Sequence, residues 1–405
     1  MNGIKSLNII FLLFIGLILR VILANLEGFK IDVDAWFAWA LRINEVGFAN
    51  FYSSQIWTNY TPGYLYVLGL LGFIKNLFSL DSSFFYLLLK IPSILSELIL
   101  GVFIYRLSSQ HFNERISIFL SSLVFLNPAF IFNSAIWGQI DGLLSLFMVF
   151  SIYYLIQKNL ILSSVFFSIA LLIKPQALAI TPVFFLYLVK NFNLTSFLKL
   201  SLPAPILFTI LSFPFFPGNP IAGLFALFQN MINDYSYTSL FAYNLWGIVG
   251  FWINDTQGYL ITYKDWGIYL LIIYWLVLSF VYFKKNIGLF TMSALATLGF
   301  YFLPTRVHER YLYPSLIFLI LAAIEQKSSK IIIFQILLSL VHFLNLYYVY
   351  IYYNELYLNL TKVLYNQIIY EVLNNSSKII SSISTLLFIL AGFIIIKPSN
   401  AKKTY

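Results

Sequence analysis

The chain has 405 residues, 60% hydrophobic and 10% charged, with a net charge of +9 and no cysteine. A soluble domain is about 25% charged, so this composition excludes one, and the absence of cysteine excludes a disulfide framework, a thiolate metal site and a cysteine nucleophile. No basic patch has interleaved aromatics, so the positive charge is no nucleic-acid footprint; it reads as orientation signal, because Lys and Arg collect in cytoplasmic loops.

Backbone polar groups in lipid must be satisfied internally, which leaves helices or a closed barrel. The apolar runs here are continuous and do not alternate, which selects helices. The expected fold is therefore an all-α integral membrane bundle forming one multi-pass domain over residues 1–405, with no internal repeat, low-complexity tract or linker.

The first apolar run, Leu7 to Ala24, follows Lys5 and lacks a small-residue cleavage site, so it reads as a retained first helix rather than a signal peptide. Apolar runs lie near 6–24, 63–79, 86–105, 116–133, 141–156, 160–173, 176–189, 198–215, 261–283, 287–303, 310–324, 331–353 and 378–396. With Lys5 inside and 63–79 not spanning, Arg106, Arg115, Lys158, Lys190, Lys199, Lys284, Lys285, Lys327, Lys330, Lys397, Lys402 and Lys403 all fall inside. If 63–79 spans, all of these except Lys5 move outside. The first arrangement gives twelve spans with both termini cytoplasmic. Segment 63–79 then lies in the outer interface or re-enters it. Long outer loops are expected at 25–85 and 217–259, with a smaller one at 354–377, so an enzyme built this way works at the outer face.

Polar residues at membrane depth are costly and informative. Four clusters stand out, all on the outer side. Asp32-Val-Asp34-Ala-Trp36-Phe-Ala-Trp39 reads as an interfacial amphipathic helix, with Asp32 and Trp39 two turns apart on one face. A carboxylate there is a candidate proton acceptor, or simply a helix N-cap. Trp137-Gly-Gln139-Ile-Asp141 follows Asn127-Pro128 and Asn133 at a junction between spans. An interfacial Trp and an Asp N-cap explain it except for Gln139. Lys174-Pro175-Gln176 joins two runs of about 14 residues, too short for full spans, so its ammonium lies below the surface and needs an anion unless it snorkels. Arg306-Val-His308-Glu309-Arg310-Tyr311 places two arginines outside, against orientation preference. Arginine suits a phosphate through its planar fork; the alternative is a surface ion-pair cluster. One His and one Glu are compatible with a divalent metal, but the spacing matches no zinc motif.

At these residues the chain resembles the GT-C glycosyltransferases that use polyprenyl-phosphate sugars. The nearest likeness is to prokaryotic mannosyltransferases related to the second mannosyltransferase of the GPI-anchor pathway. The resemblance is carried by Asp32 with Trp39, by Tyr60-Thr-Pro62-Gly63-Tyr64, by Asn127-Pro128 and Trp137-Gly-Gln139-Ile-Asp141, and by Lys174-Pro175-Gln176, Asn244-Leu-Trp246-Gly247 and His308-Glu309-Arg310-Tyr311, over roughly residues 5–320. Dolichol-pathway glucosyltransferases are similar more distantly, with an acidic residue two after the first-loop Asp, as Asp34 is here.

The resemblance implies an inverting hexosyl transfer, with mannose the expected sugar. Asp32 or Asp34 is the implied base. Lys174, Gln176, Arg306, His308, Glu309, Arg310, Gln139, Asp141 and Trp137 are the implied donor-binding set, and Trp36, Trp39, Trp57, Tyr60 and Asn244 the implied acceptor pocket. The implied partners are a polyprenyl-phosphate-linked sugar, a glycan, lipid or protein acceptor, and membrane lipids. No particular cofactor is implied, and dependence on a divalent metal stays open. The expected site is the outer face of a cell membrane. The alternative class is a transporter or lipid-linked-glycan flippase, which needs polar groups along a path across the membrane and gates on both faces.

Overall fold

A computed structural model describes residues 7–52, 57–285 and 287–396. Lys5, Lys397, Lys402 and Lys403, which entered the orientation argument, lie outside the described residues. The described chain is mostly helical with almost no sheet, and seven helices are long and apolar enough to cross a membrane: Leu7–Ala24, Ser82–Ser108, Glu114–Trp137, Leu194–Ser212, Tyr263–Lys285, Ser329–Tyr357 and Ser377–Ile396. Phe11, Phe14, Phe225, Leu276, Phe280 and Phe393 each leave more than half of their surface uncovered. Apolar surface of that extent suits lipid and not water. The chain is an all-α multi-pass membrane protein.

The other expected spans are shorter helices, including Asp141–Ile156, Leu160–Ile173 and Leu289–Phe302. Helix Leu194–Ser212 is interrupted only at Leu202, between Leu194–Ser201 and Pro203–Ser212, because Pro203 has no N–H for the ladder. At the centre stands Tyr313–Gln326, buried at every position from Tyr313 to Ile324. Leu289–Phe302, Asp141–Ile156 and Ser329–Tyr350 surround it. A helix apolar on all sides belongs at such a centre.

Arg20, in the first helix, is fully buried. Its Nε donates to Glu97 Oε2 at 2.7 Å, and its other donors reach the carbonyls of Gly16, Val124 and Phe125. Glu97 also accepts from Ser134 at 2.6 Å and Tyr313 at 2.7 Å. Each side-chain nitrogen and oxygen of the pair has a partner, which is the condition for burying it.

The segment expected as the first outer loop contains two helices, Lys30–Val46 and Pro62–Leu77, packed on each other. The second starts against the end of Leu160–Ile173: Thr61 Oγ1 donates to Leu172 O at 2.7 Å. A Cβ at Gly63 would run into the Leu172 backbone, so only glycine permits this approach. The segment expected as the second outer loop, 217–259, holds the amphipathic helix Pro220–Asn233 and strand β1 (Ser239–Leu240). That strand pairs in parallel with β2 (Val307–His308), in register Ser239↔Val307 and Leu240↔His308. The pairing brings the 217–259 loop onto the His308-Glu309-Arg310 segment.

Candidate active site

Asp32 is positioned from two directions. The Phe29 N–H donates to Trp137 O at 2.8 Å, and the two rings stack with centroids 4.1 Å apart. Asn354 accepts from the Lys30 N–H and donates to Gly28 O. These contacts fix the start of helix Lys30–Val46. Phe29 occupies its N-cap and no side chain caps it, so Asp32 is not the capping residue.

Trp137 and Gln139 arrive from an interrupted helix. Asn127 caps Pro128–Ile131, which widens into the π-helical turn Phe132–Trp137. Gly138, at φ 90°, closes that turn in a conformation other residues rarely adopt. Trp137 Nε1 and Gln139 Nε2 then both donate to Asp32 Oδ2 at 2.8 Å. Gln139 Oε1 accepts from Lys174 Nζ at 2.8 Å and from the Ile140 N–H at 3.0 Å. Lys174 also donates to Asp141 Oδ1 at 2.7 Å, and Asn133 donates to Asp141 Oδ2 at 3.1 Å. Ile140 holds the N-cap of the next helix, so Asp141 does not cap it either. Trp137, Gln139 and Asp141 are fully buried and line neither of the two cavities described below.

The two arginines differ. Arg306 grips Asp255 at 2.7 and 3.0 Å and donates to Ile232 O at 2.7 Å. Three of its five N–H donors are thus engaged inside the protein, while its side chain also lines the larger cavity described below. Arg310 donates through Nη1 to Glu309 at 2.8 Å, and its buried Nε has no partner. His308 Nδ1 lies 3.8 Å from Glu309. Burial lowers the His308 imidazole and Arg310 lowers it further, outweighing Glu309, so it is neutral at neutral pH. Burial alone would raise Glu309, but Arg310 beside it overcomes that and holds the carboxyl at about 2.

Two cavities meet here. The first, about 120 Å³, is lined by Asp32, Trp36, Trp39, Trp57, Tyr353, Glu309 and Arg310 among others. The second, about 310 Å³, has Lys174, Gln176 and Arg306 in its wall beside the apolar Leu178, Phe228, Met231, Ile232 and Phe300. Asn59, Tyr60, Tyr235, His308 and Arg310 line both. Several polar atoms near this junction lack partners: Asn59 Oδ1, the Tyr60 hydroxyl, Gln176 Oε1 and Arg310 Nε. Such groups are costly unless something fills the space.

Asp34 leaves the opposite side of the helix from Asp32. It is about half exposed, accepts from the Tyr86 hydroxyl at 2.6 Å and pairs with Lys30 at 3.0 Å. Asn244, expected in the acceptor pocket, lies elsewhere: it caps the short helix Leu245–Val249 and donates to Tyr301 O. Sequence reasoning missed Asn59, Tyr235, Trp252 and Asp255. Asn59 adjoins Tyr60 and was within reach of the motif, whereas Asp255 is brought to Arg306 only by the fold of the second loop.

No family model matches the chain. Over 86 residues it is 34% identical to the dolichyl pyrophosphate Glc1Man9GlcNAc2 alpha-1,3-glucosyltransferase of Dictyostelium discoideum. The match covers 21% of this chain and 14% of that protein, so the chain spans a small part of the length of the relative it matches, a lipid-linked-oligosaccharide glucosyltransferase by name.

Proposed function

We propose that this chain is an inverting hexosyltransferase that moves a sugar from a polyprenyl-phosphate donor to an acceptor hydroxyl at the outer face of a cell membrane. The observation that carries the reading is the junction of the two cavities. An anchored carboxylate, Asp32, faces an aromatic cleft on one side. On the other, Arg310 opens into a larger cavity with apolar walls. A donor with an apolar tail and a phosphate fits the larger cavity, and an acceptor fits the aromatic cleft. Asp32 takes the proton of the acceptor hydroxyl as that oxygen attacks the anomeric carbon opposite the phosphate. One displacement inverts the configuration. The phosphate leaves as an anion, so no general acid is required, and Arg310 stabilises its growing charge.

Orientation is supported by helix connectivity. Asp141–Ile156 leads from Asp141 to Lys158, and Pro175–Lys190 from Lys174 to Lys190. Each basic end therefore lies a helix length from the site, and positive ends favour the cytoplasm. Twelve spans with cytoplasmic termini fit this arrangement.

Mannose is the sugar the motifs suggest, while the partial relative is named for glucose. The test reconstitutes purified protein with labelled polyprenyl-phosphate mannose or polyprenyl-phosphate glucose and with total cell lipids and glycans. Label moving from donor to acceptor supports the reading. Passage of the donor across the bilayer without transfer rejects it in favour of a flippase.

A further inference from the structure

Behind Asp32 runs a line of side chains that the reaction as stated leaves without a task. It passes from Asp32 through Gln139 and Lys174 to Asp141 and Asn133. The orientation of the Gln139 amide follows from its neighbours' chemistry. Lys174 and the Ile140 N–H can only donate, so both require the amide oxygen. An ionised Asp32 can only accept, so it requires the amide NH₂. Asp141 in turn holds Lys174 at 2.7 Å.

We infer that Gln139, Lys174 and Asp141 are positioning residues for the base, and that Lys174 acts through Gln139 rather than on the donor phosphate. This rests on the transferase reading. Lys174 locks the amide in one sense. The locked amide and Trp137 then occupy Asp32 Oδ2 with two donors. Oδ1 is the oxygen left for the acceptor proton. Two of the three N–H donors of the cation expected to bind phosphate are already committed, to one carboxylate and one amide oxygen. Arg310, with an unpartnered Nε, is left to meet the phosphate.

The experiment must separate lost positioning from lost folding. Lys174→Met alone strands Asp141 as an unpaired buried charge. The double variant Lys174→Met, Asp141→Leu removes both charges and replaces them with apolar side chains, which buried pairs often tolerate. Its turnover should fall about 10²-fold, the scale of a misplaced catalytic group. Its donor KM and its affinity for undecaprenyl phosphate in a direct titration should stay as in the wild type. Gln139→Met should show the same split. Gln139→Glu should also move the acid limb of the pH–rate profile upward, because two carboxylates then share one site, whereas Gln139→Met should not move it. Loss of undecaprenyl phosphate affinity in the double variant with turnover kept would put Lys174 on the phosphate and overturn the inference. Wild-type turnover in the same assay decides the transferase reading, and the titration needs no turnover, so the two can fail separately.

Discussion

Asp32 and Asp34 sit two residues apart on one helix and turn their carboxylates to opposite sides, Asp32 to Trp137 and Gln139 at the cleft and Asp34 to Lys30 and Tyr86 at the surface. Two residues of α-helix are a turn of about 200°, so one base candidate faces the cavity and the other does not. Asp32→Asn keeps the shape and loses the basicity. It should cut transfer by about 10²–10⁴-fold, the contribution of a positioned base, with donor binding kept. Asp34→Asn should leave transfer within the same order of magnitude. Steady-state rates of the two purified variants check this, and the reverse ranking would assign the base to Asp34.

Arg310 is the cation that both cavities share and that keeps an unpartnered donor. Arg310→Ala should lower transfer by about 10²–10³-fold, the range for losing one electrostatic donor. Arg310→Lys should recover part of this, since a point charge lacks the planar fork. If the Ala variant keeps both rate and donor affinity, the donor phosphate lies elsewhere.

Arg306 should behave as a structural residue. Its pair with the fully buried Asp255 ties the 217–259 loop to the segment before His308. Breaking a buried pair by removing one partner costs about 3–5 kcal/mol. Asp255→Ala and Arg306→Ala should both lower the melting temperature in detergent, and at low temperature should leave donor KM unchanged. A raised donor KM for Arg306→Ala with unchanged melting would restore its expected part in phosphate binding.

His308 is neutral at neutral pH because its imidazole is lowered below the usual value of 6.5. As pH falls through that value the unfolded chain takes up a proton that the folded site refuses, so folded stability declines with acidification. Glu309 adds a second loss at lower pH. Its carboxyl is held at about 2 against 4.5, so its contribution is complete above 4.5 and disappears towards 2. His308→Gln should flatten the stability–pH curve just below 6.5 and leave the lower limb. Thermal melts across pH 3 to 8, a range set by these ordinary values, show whether the two limbs separate.

The chain has no native cysteine, so single introduced cysteines report topology cleanly. Cysteines at Arg106, Lys158 and Lys284 should be labelled from the cytoplasmic side only. Labelling of all three from outside would reverse the orientation and put the site on the inner face.

Much of this was legible in the sequence because lipid leaves so few options. Continuous apolar runs gave the helices, and charges that such runs tolerate poorly drew attention to Asp32, Lys174 and Arg310. Residue type alone did not tell which charges meet ligands and which meet each other. Lys174 and Asp141 lie 33 residues apart in sequence, and Arg306 and Asp255 lie 51 apart. Both pairs are made by tertiary folding and leave no local pattern. Asn244 is ambiguous for a related reason: an Asn before a short helix is a capping signal as well as a site signal, and here it caps.

The pairing of Arg20 with Glu97 bears on how the chain enters the membrane. Glu97 stands deep within helix Ser82–Ser108, where a lone acidic residue costs roughly 2.5–3.5 kcal/mol to insert. Its partner belongs to the first helix, which emerges earlier during synthesis and whose Arg20 lies four residues from its C-terminal end, where a long side chain can snorkel to the interface before it is paired. The arginine can wait there at little cost until the glutamate arrives. The order of residues along the chain thus doubles as an order of assembly, in which the charge easier to keep wet is delivered first.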